Sequence, residues 1–171
     1  ANRGIGRVTA ISLAKQGWTL AVIGRDAAGI DSVAQEIGNG AIAVQCDVSD
    51  RASVAKAFAS IKSTFGRLDL LFNNAGVGAG GLVWENTVAD WEWLLGVNLW
   101  GVVHGVRLFT PMMIEAANKD PNFQGHIVNT ASMAGLLTPP NMGIYNVTKH
   151  AVVALTETLY QDLKLVSDQI S

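Results

Sequence analysis

The sequence predicts an α/β fold, with a doubly wound parallel sheet covered by helices on both faces. Three observations predict it. Short apolar runs of strand length alternate with longer segments of helical periodicity along the 171 residues. The apolar runs are continuous, which is typical of parallel strands buried on both faces. Glycine-rich or polar segments follow several of these runs, where such sheets bind their ligands.

The predicted elements follow one another in a single domain that spans residues 1–171. The apolar runs predict strands at residues 19–23, 41–46, 68–72 and 127–130. Apolar residues at helical spacing predict helices over residues 4–16, 30–37, 54–65, 87–113 and 145–166. Because the chain begins inside a turn and ends directly after a helix, we expect the first and last strands of the sheet to lie outside it.

Composition excludes several classes of protein. The net charge is −2, only 15% of the residues are charged and no basic cluster stands out, which argues against binding to nucleic acid or to acidic membranes. No signal peptide and no stretch of about 18 apolar residues is present. The single cysteine, Cys46, cannot form an intramolecular disulfide, so we expect a cytoplasmic protein. The three histidines lack metal-ligand spacing, and no metal site is predicted.

The first candidate site is the opening turn, where Gly4 and Gly6 lie at the entry to a helix. Glycine lets the backbone approach a phosphate, and the N-terminus of a helix offers unpaired N–H groups and a partial positive charge. A plain tight turn with two glycines has the same pattern, so this segment alone leaves both interpretations open.

The second candidate site is the end of the strand at residues 19–23, where Gly24 is followed by Arg25. An acid at this position holds a free ribose 2′-hydroxyl, whereas a 2′-phosphate requires a cation. Arg25, with Arg3 as a second cation, favours NADP(H) over NAD(H). Asp26 is the residue that disagrees, although it could instead cap the next helix. An ordinary surface arginine is the alternative interpretation.

The third candidate site combines Tyr145, Lys149, Ser132 and Asn98. Tyr145 and Lys149 lie four residues apart at the start of a helix, so they share one face, and an ammonium group beside a phenol favours the phenolate. Ser132 follows a strand and could hydrogen-bond a substrate oxygen, or merely cap a turn. Asn98 lies inside a long helix, where it indicates either a local interruption of the backbone that holds water or a tolerated polar residue.

Taken together, these residues resemble the short-chain dehydrogenase/reductase family over essentially the whole chain, which implies a Rossmann-like sheet. Residues 1–6 resemble the tail of the family's TGxxxGxG cofactor loop, and residues 73–76 match its NNAG motif. The 13-residue interval from Ser132 to Tyr145 is the one that the family shows. It makes a common YxxxK pattern specific.

The resemblance implies a role for each residue. Tyr145 would exchange a proton with the substrate oxygen, Ser132 would orient that oxygen, and Lys149 would hold the nicotinamide ribose. Asn98 would place a water that links Lys149 to solvent. The residues expected to bind NADP(H) are Asn2, Arg3, Gly4, Ile5, Gly6, Arg25, Asp47, Val48, Asn74, Ala75, Gly76, Tyr145 and Lys149.

The implied reaction is hydride transfer between NADP(H) and a carbonyl or secondary alcohol. Apolar residues beside the catalytic groups, among them Met133, Leu136 and Leu137, favour an apolar small molecule as the substrate. The resemblance also favours a homodimer or homotetramer. Two alternatives stay open: a non-catalytic NADP(H)-binding regulatory protein, and an isomerase, dehydratase or epimerase on the same scaffold.

Overall fold

The computed structural model describes residues 1–171 and contains six α-helices and four short strands. The strands are β1 (Ala21–Gly24), β2 (Ile42–Gln45), β3 (Leu70–Asn73) and β4 (His126–Asn129). The helices are α1 (Gly4–Lys15), α2 (Ala27–Ile37), α3 (Arg51–Phe65), α4 (Val88–Leu95), α5 (Gly101–Lys119) and α6 (Gly143–Lys164). All four predicted strands are present, each shifted or shortened by one or two residues at its ends. None of the helices combines the length and apolar composition needed to cross a membrane.

The strands form two separate parallel pairs. Residues 21–24 of β1 pair with residues 42–45 of β2, and residues 70–73 of β3 pair with residues 126–129 of β4. The predicted parallel pairing is therefore present, but as two two-stranded sheets and not one continuous sheet. The chain divides into two compact units, Ala1–Gly66 and Arg67–Ser171. A single domain stays a prediction from the sequence.

The first unit packs α2 against β1. Val22, Ile30 and Val33 are buried together and form its core, because the apolar positions of α2 recur on the face turned to the strand. The Asp26 side chain accepts a hydrogen bond from the Gly29 N–H and so caps the start of α2. This is the second of the two roles that the sequence left open for Asp26. The helix α3 begins at a similar cap, Asp50.

The second unit surrounds β3 and β4 with α4, α5 and α6. Thr87 and Asp90 form a reciprocal capping box that starts α4, as the sequence indicates. Leu94 of α4, Met113 of α5 and Val152 of α6 are all fully buried.

The long helix predicted from residue 87 is interrupted by a π-helical turn at Gly96–Trp100 and then continues as α5 to Lys119. Pro111 lies inside α5 and does not end it. Proline removes one backbone donor, but Phe109, Met112 and Met113 around it are buried, so tertiary packing outweighs the local penalty. Beyond α6, residues 169–171 lie parallel to the chain entering β4, with the Ile127 N–H donating to the Ser171 carbonyl.

Candidate active site

The polar residues of the second unit meet at the carboxyl ends of β3 and β4. Asn74, Ala75 and Gly76 follow β3, and Thr130 follows β4. Because the two strands are parallel, both segments leave the sheet at the same edge. The Thr130 hydroxyl donates to Asn74 Oδ1 at 3.3 Å, and the Thr130 N–H donates to the Asn73 carbonyl at 2.9 Å. These bonds join the two segments.

Lys149 reaches this edge from α6. The residue is only 4% exposed, and its Nζ donates a hydrogen bond to the Thr130 carbonyl at 2.7 Å. Burial lowers the pKa of the Lys149 ammonium because the charged form loses hydration. A Cβ added to Gly76 would lie 3.7 Å from Nζ, so the glycine of the NNAG motif is next to the ammonium group.

Tyr145 lies one helical turn before Lys149, and the ammonium nitrogen is 5.6 Å from the centre of its ring. The Tyr145 side chain is partly exposed. Its pairing with Lys149 on one helical face, predicted from their spacing, is present in the structure.

Ser132 follows β4 and caps the short 3₁₀ turn Met133–Gly135, because its Oγ accepts the Ala134 N–H at 3.2 Å. A Cβ on Gly135 would come within 2.8 Å of the Lys149 carbonyl, so this turn packs directly on the backbone of α6. No hydrogen bond joins the Ser132 and Tyr145 hydroxyls, so the convergence of these two groups on one substrate oxygen stays a prediction.

Asn98 lies within the π-helical turn and is buried. Its Oδ1 accepts the Val77 N–H at 2.8 Å, while Nδ2 donates to the Val77 carbonyl at 2.9 Å and to Thr148 Oγ1 at 3.1 Å. The asparagine therefore marks a local interruption of the helix, which was one of its two interpretations. Its side chain ties Val77, the residue after the NNAG motif, to α6. The water that Asn98 is expected to place between Lys149 and solvent remains a prediction.

The first unit carries the residues predicted to bind the phosphates. Arg3 precedes α1 and provides no side-chain cap, so the N–H groups of the first turn are not occupied by a capping side chain. Gly4 has a φ of +56°, which favours glycine. Ile5 is exposed and Gly6 is buried. The Asn2 side-chain amide donates to Asp26 Oδ2 at 2.9 Å.

Arg25 lies at the end of β1 with an exposed side chain, and its guanidinium is 4.0 Å from Asp47 Oδ2. Hydrogen bonding from the Ser49 hydroxyl is the main reason that the pKa of Asp47 is held below its usual value, and Arg25 adds a smaller electrostatic contribution. Val48 is half-buried beside Asp47. Arg25 and Asp47 are therefore neighbours in the structure, and their roles in binding the cofactor stay predictions.

The model of the short chain dehydrogenase family matches residues 1–167, which is nearly the whole chain. The chain belongs to this family. Its Rossmann-like α/β fold follows from membership and from solved structures with TM-scores of 0.88 and 0.90.

Three family members illustrate the similarity. A CLA biosynthesis dehydrogenase/reductase from Lactiplantibacillus plantarum is 35% identical over 167 residues, which cover 96% of this chain and 57% of that protein. A short-chain dehydrogenase/reductase from Burkholderia phymatum in complex with NAD is 44% identical, with a TM-score of 0.88 over 98% of this chain and 60% of that one. A metagenomic short-chain oxidoreductase in complex with NADP is 31% identical, with a TM-score of 0.90 over 99% of this chain and 76% of that one.

The chain therefore spans 57% of the length of the Lactiplantibacillus relative.

Two residues that sequence reasoning missed have clear contacts in this member of the short-chain dehydrogenase family. Thr130 holds Lys149 through its carbonyl, and Thr148 binds Asn98 through its hydroxyl. The backbone role of Thr130 leaves no signal in a sequence. The only sign of Thr148 in the sequence is that a polar residue stands directly before Lys149.

Proposed function

We propose that this protein is an NADP(H)-dependent oxidoreductase that transfers a hydride between the nicotinamide and a carbonyl or secondary alcohol of an apolar small molecule. One observation carries the proposal. A buried ammonium, that of Lys149, is fixed by the Thr130 carbonyl beside the Tyr145 ring and next to Gly76. Burying the Lys149 charge at this edge of the fold costs solvation free energy. A role in cofactor binding and proton transfer explains why the charge is buried there.

The nicotinamide end of the cofactor fits the second unit. Lys149 has three N–H donors and uses one on Thr130, so two remain for ribose hydroxyls. Gly76 supports this fit, because any side chain there would be in contact with the lysine nitrogen. Asn74 and Ala75 line the same segment. When bound, the nicotinamide supplies or accepts the hydride, and the protein provides binding and orientation.

The proton comes from the protein. In reduction Tyr145 donates its phenolic proton to the substrate oxygen, and in oxidation it accepts that proton. The neighbouring ammonium of Lys149 stabilises the phenolate that remains after donation. Ser132 Oγ accepts the Ala134 N–H, so its own proton is available to orient the substrate oxygen. Asn98 is the proposed site of a water that passes protons between Lys149 and solvent.

The preference for NADP(H) rests on the first unit. Both carboxylate oxygens of Asp26 are occupied, one by the Gly29 N–H and one by the Asn2 amide, and this supports a capping role rather than a role in binding ribose. The exposed guanidinium of Arg25, with Arg3, then suits a 2′-phosphate. Related structures are in complex with NAD and with NADP, so the family accepts either cofactor.

The proposal of an apolar substrate rests on the segment after Ser132. Met133 and Leu136 are 70% and 69% exposed, and Leu137 is also exposed. These large apolar side chains are exposed close to Ser132 in sequence. They support the proposal that one wall of the substrate site is apolar. The proposal also includes a homodimer or homotetramer. A cytoplasmic location is proposed because the only cysteine is a buried free thiol.

The test is carbonyl-dependent oxidation of NADPH by the full-length protein and its Tyr145→Phe variant. We expect the variant to lose about 100-fold or more in kcat, because general acid catalysis contributes about 10²–10⁴-fold. Most of the NADPH binding should be retained, since Lys149 and the other residues proposed to bind the cofactor are unchanged. The exposed Tyr160 on the same helix offers a matched control, and Tyr160→Phe should keep full activity.

Equal turnover by the wild type and Tyr145→Phe would overturn the mechanism. Tight NADPH binding without turnover across a broad set of carbonyls and alcohols would favour a regulatory protein. A product formed without net change in the redox state of the cofactor would point instead to an isomerase, dehydratase or epimerase.

A further inference from the structure

We propose that Thr148 is a positioning residue of the active site, which holds the Asn98 amide and the first turn of α6 in one fixed arrangement. This inference rests on the proposed function, since it concerns the same site. Thr148 lies between Tyr145 and Lys149 in α6 and is 0% exposed. It touches neither of the groups proposed to react, so any effect on turnover would pass through its neighbours.

The Thr148 hydroxyl has a complete and directional set of hydrogen bonds. Its single proton goes to the Tyr145 carbonyl at 2.8 Å, and its oxygen accepts from Asn98 Nδ2 at 3.1 Å. A bond from a helical threonine to a carbonyl in the preceding turn is common. The second bond comes from another segment of the chain, and its donor is the Asn98 amide, which also binds Val77 beside the NNAG motif.

The bond from Asn98 fixes the orientation of a buried amide. The Val77 N–H requires an acceptor and the Val77 carbonyl requires a donor, so Oδ1 and Nδ2 cannot exchange places. The remaining Nδ2 proton goes to Thr148. Without the threonine hydroxyl this proton would be buried and unpaired, which is the costly state for a polar group away from water.

The same amide contacts the segment that forms the proposed nicotinamide site. A Cβ at Gly76 would lie 3.6 Å from Asn98 Oδ1 and 3.7 Å from Lys149 Nζ. Val77, the next residue, holds the amide on both of its backbone groups. Rotation or displacement of Asn98 would therefore move the backbone next to Lys149, and a misplacement of about 1 Å near reacting groups costs turnover.

The experiment compares Thr148→Val, which keeps the shape but removes the hydroxyl, with Thr148→Ser, which keeps the hydroxyl. The matched control is Thr156→Val on the same helix. The Thr156 hydroxyl also donates to a carbonyl one turn back, that of Val152 at 2.7 Å, and also accepts from an asparagine, Asn129 at 3.0 Å. If Thr148→Val does not fold, Thr148→Ala, which lacks the hydroxyl and adds no atoms, takes its place.

We expect Thr148→Val to lower kcat by about tenfold to a hundredfold with little change in KM for the carbonyl substrate, because orientation and not affinity is lost. Thr148→Ser should restore most of kcat, and Thr156→Val should stay near the wild type. A kcat of Thr148→Val equal to that of the wild type, or an equal loss in Thr156→Val, would overturn the proposal.

A second measurement does not depend on turnover. Hydrogen exchange of the Asn98 side-chain amide, followed by NMR, should be slow in the wild type and faster in Thr148→Val. Unchanged exchange would overturn the positioning role of Thr148 even in an inactive protein. Faster exchange in a protein whose wild type reduces no carbonyl would support the positioning of Asn98 while overturning the proposed oxidoreductase function.

Discussion

Lys149 carries its charge in a position that solvent barely reaches, with one hydrogen bond from Nζ to the Thr130 carbonyl. Burial disfavours the charged form, and no carboxylate forms an ion pair with this lysine. The folded protein therefore binds the proton on Lys149 less tightly than the unfolded chain does. This difference links the residue to the pH dependence of stability.

The lowered pKa of Lys149 sets the direction in which stability changes with pH. Between the lowered pKa of Lys149 in the fold and the 10.5 of an unperturbed lysine, the unfolded chain binds more protons. The free energy of unfolding should then rise with pH through this window. We expect the wild type to gain stability relative to Lys149→Met as the pH rises toward 10.5, as measured by urea unfolding at a series of pH values.

Lys119→Met is the control for the loss of a lysine. Its side chain is 71% exposed and pairs with Glu115 on the surface of α5. A slope with pH that is the same in Lys149→Met as in the wild type would contradict this account of the buried ammonium.

Arg25 is the residue proposed to set the preference for NADP(H). Its guanidinium has only a distant, exposed partner, Asp47 at 4.0 Å, which contributes little to stability. We expect Arg25→Ala to weaken NADPH binding by about tenfold or more, because a charge-assisted bond to a phosphate is worth about 1.5–3 kcal/mol. NADH binding should change little. Fluorescence titration of both cofactors measures this, and an unchanged preference for NADPH would refute the role of Arg25.

At the scale of elements, the most informative feature is the contact between α5 and β3. A Cβ added to Gly105 would lie 2.3 Å from Asn73 Oδ1. The Asn73 side chain cannot move away freely, because its Nδ2 donates to Asn129 Oδ1 at 2.9 Å. Glycine at this helical position therefore allows the close approach of α5 to the strand that carries the NNAG segment.

Gly105→Ala separates two opposing effects. Helix propensity alone predicts that alanine stabilises α5 by about 0.5–1 kcal/mol. The steric clash predicts a cost of about 1–3 kcal/mol, and we expect it to exceed the gain. Chemical denaturation should therefore show net destabilisation.

Gly78→Ala is the control for Gly105→Ala, because a Cβ there meets nothing within 4 Å. A more stable Gly105→Ala variant would show that α5 and Asn73 adjust to each other at little cost.

At the scale of the whole molecule, the chain belongs to the short-chain dehydrogenase family, and its two compact units divide the candidate residues by their proposed roles. The residues proposed for the phosphates and adenosine belong to Ala1–Gly66, and the residues proposed for catalysis belong to Arg67–Ser171. The net charge of −2 gives the chain no strong field for steering an anionic ligand, so the proposed recognition of NADP(H) would depend on local groups such as Arg25.

The sequence by itself determined the order of helices and strands, the parallel pairing and the family. It could do so because continuous apolar runs, helical periodicity and the spacing of Ser132, Tyr145 and Lys149 are properties of the chain alone. The sequence predicted three features less well: the ends of the elements, the continuation of the long helix beyond residue 113, and the presence of Pro111 inside that helix. These features depend on the burial of side chains that are distant in sequence.

Only the tertiary structure decided what each polar group contacts. Asp26 caps α2, Asn98 lies within a π-helical turn and binds Val77, and Thr148 completes that network. The residues in these last contacts lie 21 and 50 positions apart. Local patterns carry no information on such pairs, because the partner of a buried donor is selected by the packing that excludes water from it.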